Sequence, residues 1–142
     1  MTPMRIVVDT NVFVGAVLGS KPCAEVLRTC LDGRATPLMG TTLLAELEDV
    51  LGRAVLFAHS RLSTAEREEL LEILLARCHW VRIFYGWRPN LPDEGDNHLV
   101  ELAVAGSAQA IVTRNIRDLA RPDLLFPGLS ILTPAQFLAQ LP

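Results

Sequence analysis

The sequence predicts an α/β domain with three layers, in which helices cover both faces of a central parallel sheet. Short apolar runs typical of strands alternate along the chain with longer segments of helical periodicity, and this alternation favours a parallel sheet. The first run, residues 5–8, is rich in β-branched side chains and ends at Asp9. A buried strand that ends in a carboxylate brings that acid to the sheet edge where open α/β folds bind their ligands.

Each predicted element follows from periodicity and from the residues at its ends. Residues 19–22 (Gly-Ser-Lys-Pro) separate the first two helices, Thr41 or Thr42 can cap the third, and Ser63 with Glu66 forms a capping box for the fourth. Strands are predicted at residues 5–8, 36–39, 80–84, 110–113 and 130–132. Helices are predicted at residues 12–18, 23–31, 41–53, 63–77, 94–105 and from 134 onward.

The composition fits one cytoplasmic domain over residues 1–142. Half of the residues are hydrophobic, which is enough for a substantial core. Charged residues interrupt every apolar stretch well before the roughly 18 residues that a membrane span requires, and the first residues lack the layout of a secretory signal. Cys23, Cys30 and Cys78 form no CxxC pair, so we expect reduced, mostly buried thiols.

Several acids are expected at the sheet edge that follows the first strand. Asp9 ends that strand, the fourth strand runs into Asn115 and Asp118, and a helix that begins near Asp93 carries Asp96 in its first turn. Clustered carboxylates repel one another, which raises their pKa values unless a cation neutralises them. Oxygen ligands of this kind favour a hard divalent ion, Mg²⁺ or Mn²⁺.

Each of these acids also has an ordinary explanation. Asp96 points along the inward stripe of its helix with Leu99, but Asp93 could be the N-cap of that helix and Asp96 a first-turn acid favoured by the helix dipole. Asp9 could merely cap the helix that follows it. Asp118 could pair with a neighbouring arginine at the surface.

The positions of two glutamates and three histidines in the sequence say less about their roles. Glu46 and Glu48 lie on opposite borders of the apolar stripe of the third helix, so periodicity does not choose between them. A solvated glutamate at the border of a helix is the ordinary explanation for either. His59, His79 and His98 lack the spacing of metal ligands, and we interpret them as structural or surface residues.

Five segments of the chain resemble the motifs of the PIN domain, the fold of the VapC-type toxin ribonucleases. They are VVDTNVFVGA around Asp9, LLAELEDVL around Glu46, DEGDNHLVELAVAG around Asp96, AIVTRNIRDL around Thr113 and ILTPAQFL near the end. The segments occur in the order of the family and span almost the whole chain. The sequence is most similar to the toxin–antitoxin branch of the family.

The resemblance implies a sheet order of 3-2-1-4-5 and an endoribonuclease that hydrolyses RNA phosphodiester bonds with Mg²⁺ or Mn²⁺. It also implies that the protein is a toxin of a type II pair, with a small antitoxin protein as partner, and that it forms a homodimer. By resemblance, Asn11 and Thr113 are polar supports of the site, and the family pattern selects Glu46 over Glu48. The implied catalytic and metal-binding acids are Asp9, Glu46 and Asp96.

The chain departs from the family pattern after the fourth strand. Many members have Thr-x-Asp at this point, whereas this chain has Thr-Arg-Asn at residues 113–115, a variant that recurs in the family. An amide carries no negative charge, so one metal ion is better supported than two. Asp118, one turn further on, or Asp93 could compensate for the acid that Asn115 replaces.

Contact with a nucleic acid must be local, because the net charge of the chain is −3 and its pI is about 5.6. Arg114 and Arg117 lie beside the proposed edge and are the best candidates for binding RNA phosphate, since a guanidinium group can contact a phosphate through two hydrogen bonds. Salt bridges at the ends of helices are the alternative explanation for both arginines.

Two other functions stay open. The first is an inactive PIN-like module that binds RNA or a protein without cutting, and Asn115 is the feature that favours it. The second is a phosphotransferase of the haloacid dehalogenase type, which requires another aspartate two positions after the first. Asn11 occupies that position and argues against a phosphotransferase.

Overall fold

The computed structural model describes residues 2–82, 97–116 and 128–141. In this part of the chain, five parallel strands form one sheet in the order β3-β2-β1-β4-β5, which confirms the predicted fold class and strand order. The strands are β1 (Met4–Val8), β2 (Ala35–Met39), β3 (His79–Trp80), β4 (Ala110–Val112) and β5 (Ser130–Leu132). The helices are α1 (Thr10–Val17), α2 (Lys21–Leu31), α3 (Thr41–Leu51), α4 (Thr64–Arg77), α5 (Asn97–Ala105) and α6 (Pro134–Ala139), with a 3₁₀ turn at Ala54–Phe57.

Strand β1 lies at the centre of the sheet, and this position explains its apolar sequence. Ile6 pairs with Pro37 of β2 on one side and with Ala110 of β4 on the other. Ile6 and Val7 point to opposite faces of the sheet because side chains alternate along a strand, and both are fully buried. Both faces of the sheet are therefore covered at its centre, as the uninterrupted β-branched run predicts.

Helix α5 connects the site to the core. It packs against β1, β2 and β4 and also contacts α3. Leu99, Val100 and Ala103, which lie three, four and seven positions after Asp96 in the sequence, are buried in this packing, as the spacing of an inward helix face predicts. The helix face that the sequence predicts to point inward is therefore the face that is buried in the described part of α5.

Local signals at the helix ends predicted some boundaries correctly and others wrongly. Ser63 and Glu66 form the predicted capping box of α4. The predicted threonine cap of α3 is wrong, because the helix already begins at Thr41 and its N-cap is Gly40, which offers no side chain to the first amides. Strand β3 begins at His79, one residue earlier than predicted, and the predicted strand residues 83–84 lie outside the described residues, as does the predicted helix start at 94–96.

The three cysteines are free thiols, as predicted. Burial raises the pKa of Cys30 and that of Cys78 to about 12, because a low-dielectric environment disfavours the thiolate. Both side chains are consequently protonated at neutral pH and behave as small apolar groups. None of the helices in the described ranges is both long and apolar enough to cross a membrane.

Gly106, just after α5, gives a test of how tightly this helix packs on the sheet. A Cβ atom at Gly106 would lie 2.5 Å from Cδ1 of Leu38 and 2.9 Å from Cγ2 of Val81, and Leu38 is itself fully enclosed. We expect Gly106→Ala to lower the free energy of unfolding by about 1–3 kcal/mol through overpacking. Urea denaturation monitored by circular dichroism measures the change.

Gly52 provides the matched control for this substitution. It is exposed, its φ is −78°, and a Cβ there would meet nothing closer than 3.5 Å. Gly52→Ala should therefore leave stability unchanged or raise it by about 0.4–1 kcal/mol, because alanine restricts the unfolded chain. Equal effects of the two substitutions would contradict the close packing inferred at Gly106.

Candidate functional site

Asp9 lies at the junction of β1 and α1, at the carboxyl edge of the sheet. Its backbone N–H donates to the Val112 carbonyl at 3.0 Å, so the residue is fixed beside the end of β4. Its side chain is buried. Although Asp9 is the N-cap residue of α1, its side chain makes no capping hydrogen bond within the described chain, and the helix amide that acts on its carboxylate is that of the adjacent Thr10. The capping explanation that the sequence left open therefore does not account for the buried acid.

The hydroxyl of Thr113 supports the carboxylate of Asp9. It donates to Oδ2 of Asp9 at 2.8 Å and accepts from Nδ2 of Asn11 at 3.3 Å and from the backbone N–H of Asn115 at 3.0 Å. A hydroxyl group has one donor and two acceptor lone pairs, so Thr113 uses its full hydrogen-bonding capacity. Because Thr113 is fully buried, this arrangement sets the orientation of Asp9.

Asn11 extends the same network toward the residues after β4. While its amide nitrogen donates to Thr113, its Oδ1 accepts from the backbone N–H of Arg114 at 3.1 Å. The two residues that the resemblance implies as supports, Asn11 and Thr113, are therefore brought together beside Asp9. Their hydrogen bonds join the β1–α1 junction to the segment that follows β4.

The charge on Asp9 is unfavourable in this environment. Burial raises its pKa, the hydrogen bond from Thr113 lowers it, and the negative charge of Glu46 raises it again, with a net upward direction. A carboxylate with a raised pKa beside a second carboxylate is a group that a cation would stabilise. Perturbed carboxylates of this kind are concentrated at functional sites.

The structure separates the two glutamates that periodicity could not distinguish. Glu46 of α3 is the glutamate whose charge acts on Asp9, and its side chain is 40% exposed. Glu48 is exposed and lines a groove of about 700 Å³ between α3 and α4. Helix α3 thus presents Glu46 toward the acid at the sheet edge and Glu48 toward α4.

His98 of α5 lies beside Glu46, although the sequence gave no reason to assign it to the site. Its Nε2 is 2.6 Å from Oε2 of Glu46, and its side chain is only 12% exposed. Neither ring nitrogen has a hydrogen-bond partner among the described residues, so the contact is short without being aligned as a hydrogen bond. Since the contact joins α3 to α5, periodicity within either helix could not have revealed it.

His98 also lines a cavity beside the acids. The cavity has a volume of about 710 Å³, and its wall includes the first residues of α3 and the side chains of Trp80 and Arg82. Trp80 is half exposed. Among the described residues of the wall, the ionisable ones are Arg82 and His98. The cavity therefore suits an anion, whereas the neighbouring carboxylates suit a cation.

The remaining predicted site residues differ in how far the structure places them. Arg114 is exposed, and its guanidinium lies against α1, because a Cβ on Gly15 would come within 2.8 Å of its Nη1. Asn115 is exposed and its backbone N–H is bound by Thr113. Four predicted residues lie outside the described residues, namely Asp93, Asp96, Arg117 and Asp118.

The described acids suit a divalent metal ion, whose predicted third ligand lies outside the described residues. No three of their histidines, cysteines, aspartates and glutamates lie together as a group that could hold a metal ion. Asp9 and Glu46 contribute two carboxylates, and the charge of Glu46 raises the pKa of Asp9. Carboxylate oxygens of this kind fit a hard divalent cation. The predicted third acid, Asp96, is one residue before the described start of α5, and His98, in that same helix, contacts Glu46.

Comparisons with known proteins agree with this fold. The family model described as "PIN domain" matches residues 5–117, which is more than half of the chain. A search of curated proteins finds no match. Among solved structures, the chain is similar to a chain in the crystal structure of VapBC2 from Rickettsia felis bound to a DNA fragment from their promoter. The TM-score is 0.58 at 20% identity, over 92% of this chain and 98% of that one.

Replacing Thr113 tests whether its hydroxyl holds the site together. Thr113→Val keeps the volume of the side chain but leaves the Asn11 amide, the Asn115 N–H and the Asp9 carboxylate without this partner. We expect a loss of about 1–3 kcal/mol in the free energy of unfolding. Thr113→Ser, which keeps the hydroxyl, should lose less in the same denaturant titration. If Thr113→Val and Thr113→Ser had the same free energy of unfolding, the hydrogen bonds of the Thr113 hydroxyl would contribute nothing to stability.

The raised pKa of Asp9 predicts how stability depends on pH. Because the folded state holds the Asp9 proton more tightly than the unfolded state, the contribution of Asp9 to stability falls as pH rises above about 4. Asp9→Asn removes this dependence, so in chelator the variant should gain stability relative to the unsubstituted protein between pH 4 and pH 7. Thermal unfolding at several pH values measures the difference, and a difference that is constant with pH would refute the prediction.

Proposed function

This chain belongs to the PIN domain family, and from that premise we propose that it is an endoribonuclease that hydrolyses RNA phosphodiester bonds with Mg²⁺ or Mn²⁺. The observation that supports this proposal most directly is the pairing of Asp9 and Glu46. A buried carboxylate whose pKa is raised both by burial and by a second carboxylate is destabilising unless a cation is bound beside it. In our proposal this cation is the catalytic metal ion.

In this proposal the site residues have two roles, metal binding and orientation of a metal ligand. We assign metal binding to Asp9, Glu46 and Asp96. When bound, a divalent ion of this kind supplies an activated water nucleophile and neutralises charge on the phosphodiester. Thr113 and Asn11 keep Asp9 in a fixed orientation through the hydrogen bonds described above, so the carboxylate does not have to reorganise during the reaction.

The RNA would be held by basic and aromatic groups near the acids. We propose that Arg114 and Arg117 bind phosphates, as guanidinium groups do. The cavity lined by Trp80, Arg82 and His98 provides additional space for a nucleotide next to the acids, since exposed aromatic rings stack on unpaired bases. Asp118 or Asp93 would supply a further carboxylate in place of Asn115 if a second ion is bound.

We further propose that the protein is the toxin of a type II toxin–antitoxin pair, that it acts in the cytoplasm, and that it forms a homodimer. The similar solved chain comes from a VapBC2 complex, which supports a small antitoxin protein as the partner. The half-exposed Trp80 offers an apolar contact for such a protein. A partner that inserts a basic side chain between Asp9 and Glu46 would neutralise the same charges as the metal ion.

Cleavage of RNA by the purified protein tests the nuclease proposal. We expect cleavage with Mg²⁺ or Mn²⁺ and none after chelation. Losing a hydrogen-bond partner of a metal ligand reduces activity by roughly 10–100-fold. Asp9→Asn changes a proposed ligand itself, so we expect the cleavage rate to fall by more than this. Glu48→Gln, on the far side of α3, is the matched control and should retain full activity. Gel analysis of a labelled single-stranded RNA measures these rates.

The competing proposal is an inactive PIN-like module that binds RNA or a protein without cutting. Asn115, which cannot supply negative charge, is the observation that favours it. Isothermal titration calorimetry separates the two functions. Uptake of Mn²⁺ that is lost in Asp9→Asn supports the nuclease. Two results would favour the binding module. One is that the protein takes up no divalent ion at millimolar concentration, and the other is that Asp9→Asn leaves the cleavage rate unchanged.

A further inference from the structure

The contact between His98 and Glu46 gives the second acid a defined position. The two side chains come from different helices, α5 and α3, and their closest atoms are 2.6 Å apart. The imidazole is held firmly, because it is almost fully enclosed and the next two residues, Leu99 and Val100, are buried in the core. His98 is therefore the better fixed of the two partners.

Glu46 needs such a partner more than Asp9 does. Asp9 is buried and is oriented by Thr113, whereas the side chain of Glu46 is 40% exposed. A glutamate has several rotatable bonds, and an exposed one loses conformational freedom when it must keep one orientation. Within the described residues, His98 is the group recorded in contact with its carboxylate.

We propose that His98 is a positioning residue, whose imidazole holds the Glu46 carboxylate in the orientation in which it binds a divalent metal ion together with Asp9. The proposal rests on the proposed function for the identity of the bound ion. One carboxylate oxygen, Oε2, faces the ring, which leaves Oε1 and the remaining lone pairs of the carboxylate for the ion. Groups that orient ligating carboxylates in this way commonly determine metal affinity.

The unpartnered ring nitrogens fit this role. Both nitrogens of His98 are buried and lack a hydrogen-bond partner among the residues that the structure describes, and buried polar atoms of this kind require an explanation. A small rotation of the Glu46 carboxylate would turn the existing 2.6 Å contact into an aligned hydrogen bond. A hydrogen bond formed in this way would keep the carboxylate in the orientation that the proposal requires.

Calorimetric titration of the full chain with Mn²⁺ tests the role of His98. We expect His98→Ala to raise the Kd for Mn²⁺ by about 10-fold or more, and His98→Gln, which keeps an N–H at similar reach, to recover part of the affinity. His59→Gln is the matched control, because His59 is exposed and distant in the sequence, and it should leave the Kd unchanged. Thermal unfolding in chelator shows whether each variant is folded. If His98→Ala does not fold, the Kd values of His98→Gln and His98→Asn are compared instead.

A double substitution separates positioning from an independent effect. If His98 acts through Glu46, His98→Ala should have no further effect on the Kd in a Glu46→Gln background. Additive losses would overturn the proposal, as would an unchanged Kd in the single variants. A loss for Mn²⁺ without a loss for Mg²⁺ would identify the ring as a ligand and also overturn it. If the unsubstituted protein takes up no Mn²⁺, the proposed metal site fails together with the positioning role.

Discussion

The arrangement of the site depends on one buried hydrogen bond, from the hydroxyl of Thr113 to the carboxylate of Asp9. It joins the end of β1 to the end of β4, two strands that are neighbours in the sheet, and it stabilises a charge that burial disfavours. Without this donor, Asp9 would be an acid in an apolar environment and would tend to take up a proton. The parallel register of β1 and β4 thus positions the hydrogen bond that favours the ionised form of Asp9.

Much of the fold was predictable because the deciding signals are local. The β-branched run before Asp9, the capping box at Ser63 and the alternation of elements predict the succession of strands and helices along the chain without any long-range information, whereas the order of the strands in the sheet was implied by the resemblance to the PIN domain. The start of α3 was not predictable in the same way. Gly40 is the N-cap residue of α3, where a threonine was expected. Gly40 also lies close to Leu102 of α5, a contact that no pattern in α3 encodes.

The candidate site was predictable only in part. Asp9, Asn11 and Thr113 meet because their strands and turns are neighbours, which the sheet order implies. The pairing of Glu46 with His98 depends instead on the rotation of α3 and α5 about their axes, and periodicity left Glu46 and Glu48 equivalent. Helix packing resolves such ambiguities through side chains distant in sequence, which explains why His98 could not be assigned from its own surroundings.

The central position of β1 also has a consequence for the synthesis of the protein. Its two pairing partners are far apart in the chain: β2 follows after one pair of helices, but β4 begins only at Ala110. During synthesis on the ribosome, one edge of β1 therefore stays unpaired until β4 has emerged, since non-local strand pairs form late. The support for Asp9, which spans 104 residues, is completed at the same stage. A nascent chain thus cannot assemble this acidic edge before Thr113 has emerged.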